Sequence, residues 1–250
     1  MTTDGFVFVH GGQHDARCWQ PTLDALQRLT DLPALAVNLP GRNGEPGNLG
    51  TLTIAQCAES VCRQIADHQL SGRLTLVGHS MAGISLPAIA ALLGEQRLHS
   101  LVFMSCCIPE EGRSIIDSLD PPMSIISRLA AHHLATMRPM PGLFAKWVFG
   151  NGMTAAQKRY LVQTLCREAT SITSEAVSRQ DMPPCPRHWI MLEQDRALSP
   201  ARQKNYIDNL GGVDSIEYLN CCHDAMIAEP EQVAATLVKL TVAPATNTPG

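Results

Sequence analysis

The feature that most constrains this chain is a rhythm. Short runs rich in Val, Leu, Ile and Phe recur at 6–9, 35–37, 74–77, 101–105, 189–192 and 216–219, with amphipathic stretches between them. A short, wholly apolar run suits a strand buried on both faces, and the stretches between supply the crossover helices that parallel pairing requires. The pattern predicts an α/β fold, a mostly parallel sheet of about six strands with helices on both faces. The clearest helix is 53–70. There Ile54, Ala58, Val61 and Ile65 share a face, Thr53 and Gln56 have capping-box spacing, and Gly72 follows as a stop. Further helices are expected after Ser80 through Ala91 and over 230–240.

The rhythm breaks between Pro109 and Pro184, where no strand is expected and short helical patterns are separated by Pro and Gly. Six of the ten methionines lie between Met104 and Met182. Flexible, polarisable Met side chains suit an adaptable apolar pocket and equally an irregular core, and both readings stay open. Thr154 and Gln157 predict a capped helix running to about Arg167. The expected division is a core of 1–108 and 185–241, a helical cap inserted at 109–184, and a loose Pro, Thr and Asn-rich tail at 242–250.

Composition narrows the function classes. With 45% hydrophobic and 17% charged residues among 250, the chain can bury one large core or two small ones. A net charge of -4 without runs of like charge makes nucleic acid and membrane surfaces poor partners and leaves a small molecule as the expected one. Nine cysteines, two pairs of them adjacent, fit neither a disulfide framework nor a zinc site. Reduced thiols, an apparent strand soon after Met1 and no long apolar run make the cytoplasm the expected location.

The chemistry-bearing motif is 74–83, Leu-Thr-Leu-Val-Gly-His-Ser-Met-Ala-Gly: an apolar strand, a small-residue turn, then an apolar helix. A serine on such a turn presents its hydroxyl, and its neighbours must be small because the backbone doubles back on them. Ser80 is the candidate nucleophile. The usual G-x-S-x-G ends in glycine, whereas here Ala82 takes that place and Gly83 follows. A serine needs a base, and the base needs an acid to orient it. His223, after the run at 216–219, is the expected base. Asp195, after 189–192, is the expected acid, with Glu193 as rival and Glu110 or Glu111 as a distant variant. Backbone N–H groups of Met81 and of Gly12, in the loop His10-Gly11-Gly12-Gln13-His14, are the expected oxyanion donors. Gly11, His14 and His79 flank these groups and are expected to border the substrate. His132 and His133 lack metal-ligand spacing, Cys57 and Cys62 are placed on divergent helix faces, and Cys222 is read as buried filler. No metal and no cofactor are expected.

Together these residues resemble the α/β-hydrolase superfamily over nearly the whole chain, with the family's first two strands missing. The His10–His14 loop, Trp19 and the short sheet are most similar to the branch of plant methylesterases, hydroxynitrile lyases and related bacterial esterases. The resemblance implies an α/β-hydrolase fold with a helical cap and a cofactor-free serine hydrolase cleaving an ester, lactone or thioester of a small, mostly apolar molecule. The lyases of that branch carry threonine and lysine where this chain has Gly11 and Asp224, so ester hydrolysis is expected over cyanide release. Dehalogenases and epoxide hydrolases carry aspartate where Ser80 stands. The alternatives are a lyase or cyclase reusing the site, or a receptor-like homologue with little turnover.

Overall fold

In the computed structural model, residues 2–119, 125, 128, 129 and 132–242 are described. Six parallel strands form one sheet: β1 (Gly5–Val9), β2 (Ala34–Val37), β3 (Leu74–His79), β4 (Leu98–Met104), β7 (Arg187–Leu192) and β8 (Ser215–Leu219), in the order β2-β1-β3-β4-β7-β8. Each coincides with one of the apolar runs expected to be a strand, with β4 ending at Met104, one residue short of the run at 101–105. The order reverses between β1 and β3, so crossovers leave on opposite sides and helices cover both faces. The sheet buries two layers of side chains. Val7, Leu76, Phe103 and Trp189 pack on one side, and Phe6, Phe8, Val77, Val102 and Ile190 on the other.

The first layer is covered by α2 (Ile54–Asp67) and α3 (Leu86–Leu93), the second by α1 (Gln20–Leu26) and α9 (Pro230–Val242). Helix α2 begins at the capping box read from the sequence: Thr53 Oγ1 accepts from Gln56 N–H, and the Gln56 side chain accepts from Thr53 N–H. The helix after Ser80 is interrupted. A 3-10 turn, Ser80–Ile84, precedes α3, because the chain must first turn off the end of β3. Helix α9 includes Val242, the first residue assigned to a tail, and residues 243–250 lie outside the described ones.

Between β4 and β7 the chain leaves the sheet. It forms α4 (Gly142–Val148), α5 (Ala155–Thr164) and α6 (Thr170–Ser174), and the Thr154–Gln157 capping box starts α5 as expected. The expectation of no strand here is corrected. Thr136–Met137 (β5) and Glu168–Ala169 (β6) pair antiparallel. Two-residue strands carry no periodicity that a sequence could show. Two further α-helices are α7 (Pro200–Asn209) and α8 (Ala225–Ala228). No helix among the described residues is long and apolar enough to cross a membrane.

Candidate active site

All the candidate residues of the core converge on the carboxyl edge of the sheet, where parallel strands open a crevice. Ser80 follows β3 directly and has φ +53, the left-handed region that a residue with a Cβ adopts only when its surroundings impose it. Two neighbours impose it. A Cβ on Gly78 would lie 2.4 Å from Leu86 Cδ1, and one on Gly83 would lie 2.5 Å from the Cys107 carbonyl oxygen. Cys107 N–H also donates to the Ser80 carbonyl at 2.8 Å, which pins the turn to the end of β4. The extra methyl of Ala82 is accommodated in the core, so the departure from the usual motif leaves the turn intact.

His223 Nε2 lies 2.9 Å from Ser80 Oγ, and its Nδ1–H donates to Asp195 Oδ2 at 2.6 Å. Asp195 is held on both oxygens. Ser105 Oγ donates to Oδ2 at 2.6 Å, while Ala197 and Leu198 N–H donate to Oδ1 at 2.7 and 2.8 Å. Burial alone would raise the Asp195 pKa, but His223 and these donors outweigh it and hold the carboxyl below its ordinary value. For His223 the balance is the mirror image: burial would lower it, Asp195 dominates, and the imidazole sits above its ordinary value. Glu193, the rival acid, is exposed, and so are Glu110 and Glu111. Arg196 does not pair with Asp195 and instead lies 5.5 Å over the Trp147 ring.

The loop after β1 closes over the turn. A Cβ on Gly11 would stand 2.9 Å from Ser80 Cβ, so only glycine admits this approach, and Gly12 packs against Met81. His79 is wholly buried. Its Nε2–H donates to the His223 carbonyl at 3.0 Å, and burial with His223 nearby lowers its pKa to about 3. His79 therefore positions the His223 backbone as a neutral ring.

His14 makes contacts that the sequence did not signal. Nδ1 is 2.8 Å from the Gly12 carbonyl and Nε2 is 3.0 Å from Asp224 Oδ2. Both partners are acceptors, so two N–H groups are needed and the ring is an imidazolium. Burial would lower its pKa, but Asp224 outweighs burial and leaves it raised. The pair ties the Gly12 loop to the residue after His223. His79, His223 and Asp224 offer donor atoms within 4.8 Å of one another. An ion there would compete with Ser80 and Asp195 for the His223 nitrogens.

Ser105, Glu168, Arg42 and Phe149 join the site without having been singled out for it. Phe149, from the segment between β4 and β7, stacks on His223 with ring centroids 5.1 Å apart and packs at 5.6 Å from His14. Glu168 Oε2 accepts from Gln13 N–H at 2.8 Å, and its other oxygen meets the buried Arg42 guanidinium. His132 and His133 are exposed and pack on each other, away from this cluster.

Known proteins resemble this chain at low identity. A probable esterase from Oryza sativa subsp. indica is 24% identical over 259 residues, covering 94% of this chain and 95% of its own. Salicylic acid-binding protein 2 from Nicotiana tabacum is 23% identical over 259 residues, covering 94% and 96%. Among solved structures, an extracellular α/β-hydrolase from a Paenibacillus species superposes with a TM-score of 0.79 at 20% identity, covering 94% of this chain and 98% of its own. A pyrethroid hydrolase superposes with 0.78 at 17% identity, covering 97% and 99%. The family model for the alpha/beta hydrolase family matches residues 6–236, nearly the whole chain, and so the chain belongs to the alpha/beta hydrolase family.

Proposed function

We propose that the protein is a carboxylic ester hydrolase working through Ser80, His223 and Asp195. The observation that carries this reading is the unbroken hydrogen-bonded run from Ser80 Oγ through His223 to Asp195, with the serine on a left-handed turn. Ser80 Oγ attacks the ester carbonyl as His223 Nε2 takes its proton. The Gly12 and Met81 N–H groups receive the developing oxyanion, and His223 returns the proton to the leaving alcohol. Water, deprotonated by His223, then releases the acid. Asp195 keeps Nδ1 protonated and supports the imidazolium.

Relatives named esterase and methylesterase support ester cleavage. Gly11 and the acidic Asp224 weigh against a cyanohydrin lyase, since Gly11 has no side-chain hydroxyl to hold the cyanohydrin and the Asp224 carboxylate repels a departing cyanide. Residues 109–184 act as a cap, and the Phe149 ring against His223 favours a small, mostly apolar substrate. No metal or cofactor enters the mechanism, and nine unpaired thiols favour a reducing compartment such as the cytoplasm.

The test is labelling with a fluorophosphonate probe, followed by a panel of esters of graded acyl size. Wild-type protein should label at Ser80 and turn over part of the panel. Ser80→Ala should abolish labelling and lower turnover by about three or more powers of ten. Unchanged turnover in that variant would refute the mechanism.

A further inference from the structure

The chain has two pairs of adjacent cysteines, and the fold treats them differently. Cys106 and Cys107 point apart. Cys106 Sγ donates to the Gly78 carbonyl at 3.2 Å, and Cys107 Sγ to Tyr206 Oη at 3.4 Å. Cys221 and Cys222 line one and the same cavity. That cavity, of about 600 Å3, is lined also by 151–154, Gln194 and Glu229. The thiols are otherwise buried, so this cavity is the way in.

The pair sits at a sensitive place. Cys221 N–H donates to the Leu219 carbonyl at 2.8 Å, and its own carbonyl accepts from Gln194 N–H at 3.0 Å. His223 comes next, its carbonyl held by His79, and Asp224 N–H is fixed to the Phe149 carbonyl at 3.1 Å. Cys222 is thus the link between two anchored stretches, and anything that draws its sulfur toward Cys221 pulls on His223.

We propose that Cys221 and Cys222 form a vicinal dithiol site for trivalent arsenicals, and that their capture displaces His223 and stops hydrolysis. The second half rests on the function proposed above. The chemistry needs no oxidant. An arsenoxide R–As=O gives up its oxygen as water, taking the two thiol protons, while two As–S bonds replace two S–H bonds and arsenic stays trivalent. Cys221 is the more exposed of the two, and its thiolate is the first nucleophile. Cys222 closes the ring within the same molecule, at high effective concentration. A direct disulfide is the poorer product, because Cα atoms joined by a trans peptide are ~3.8 Å apart, short of the usual ~4.4–6.8 Å. An inserted arsenic atom widens the ring and relieves that strain.

The probe is phenylarsine oxide, added in equimolar amount to the native protein. Intact mass should show one phenylarsenic unit, and peptide mapping should place it on Cys221 and Cys222. Ester turnover should fall by about a thousand-fold or more, as for loss of a triad member. Dithiothreitol should restore it, and an equal thiol concentration of glutathione should not. Cys222→Ala should lose the stable adduct while keeping its turnover. An adduct mapped to other cysteines, or none on the native protein, would overturn the site, and this readout stands whether or not Cys222→Ala folds. An adduct at the expected place with undiminished turnover would overturn the coupling to His223. If the untreated protein cleaves no ester, mapping still judges the site, and the failure belongs to the proposed function.

Discussion

At the scale of single residues, His223 is governed by a contest between burial and Asp195, which Asp195 wins. A base must be neutral to accept a proton. Turnover is therefore expected to rise with pH through an apparent pKa above the ordinary histidine value of 6.5. A kcat/KM profile that stays flat between about pH 5 and 9, with chemistry limiting, would rule out His223 as the base. The same physics makes His14 a stability determinant. Its pKa is raised by folding, so its contribution is complete below the unfolded value and is lost as pH rises through the folded one. Asp224 is shifted down, so its contribution is present above its unfolded value and is lost as pH falls through the folded one. The pair stabilises the fold across the interval between. In Asp224→Asn, His14 can shed its proton, so no charge is stranded and the cost is about 2 kcal/mol. Urea unfolding at mildly acidic pH should show that loss, and the gap should close as the wild type is taken above the folded pKa of His14. Ser80, Asp195 and His223 were legible because each follows a recognisable strand end. The partnership of His14 with Asp224 was not, because it joins residues 210 positions apart and nothing local marks either one as half of a pair.

At the scale of elements, the turn from β3 into α3 depends on where a methyl group can go. Gly83 cannot carry one, since its Cβ would meet the Cys107 carbonyl at 2.5 Å, on backbone that is itself tied to Ser80. Gly83→Ala is expected to cost about 1–3 kcal/mol through overpacking and to disturb the Ser80 conformation, lowering turnover together with stability. Ala82→Gly restores the usual motif, yet it should change thermal stability by no more than about 1 kcal/mol and leave turnover close to wild type. Thermal unfolding and ester assays on the two variants side by side check this contrast. A Gly83→Ala protein as stable and active as wild type would show that the turn tolerates what its geometry forbids. The sequence revealed elements wherever the signal was local: both capping boxes open helices, and every apolar run lies in a strand but for Ser105, just past β4. It was silent on β5 and β6, and on α7, which turns only Gln203, Tyr206 and Ile207 into the core and so shows no apolar stripe.

At the scale of the whole molecule, the question is what holds the segment between β4 and β7 against the core. Phe149 is one contact, and the Arg42–Glu168 pair is another, joining the loop after β2 to β6 with both side chains almost wholly withdrawn from water. Glu168 also accepts from Gln13 N–H, so the same carboxylate braces the loop that carries Gly12. The sequence could not show this, because the partners are 126 residues apart and a lone Arg and a lone Glu read as surface residues. A buried ion pair is a weak source of net stability when intact but a severe liability when halved. Glu168→Leu leaves the Arg42 guanidinium buried without a counter-charge, and an arginine cannot escape by losing its proton. That variant should lose about 3–5 kcal/mol in urea unfolding. Adding Arg42→Met removes the stranded charge and should recover most of the loss. Turnover should not follow stability in the double variant, because Gln13 N–H still lacks its acceptor and the Gly12 loop is less firmly held. Recovery of both stability and full kcat would mean that Glu168 acts only as a tie between segments. Recovery of stability with kcat still depressed would place it in support of the oxyanion loop.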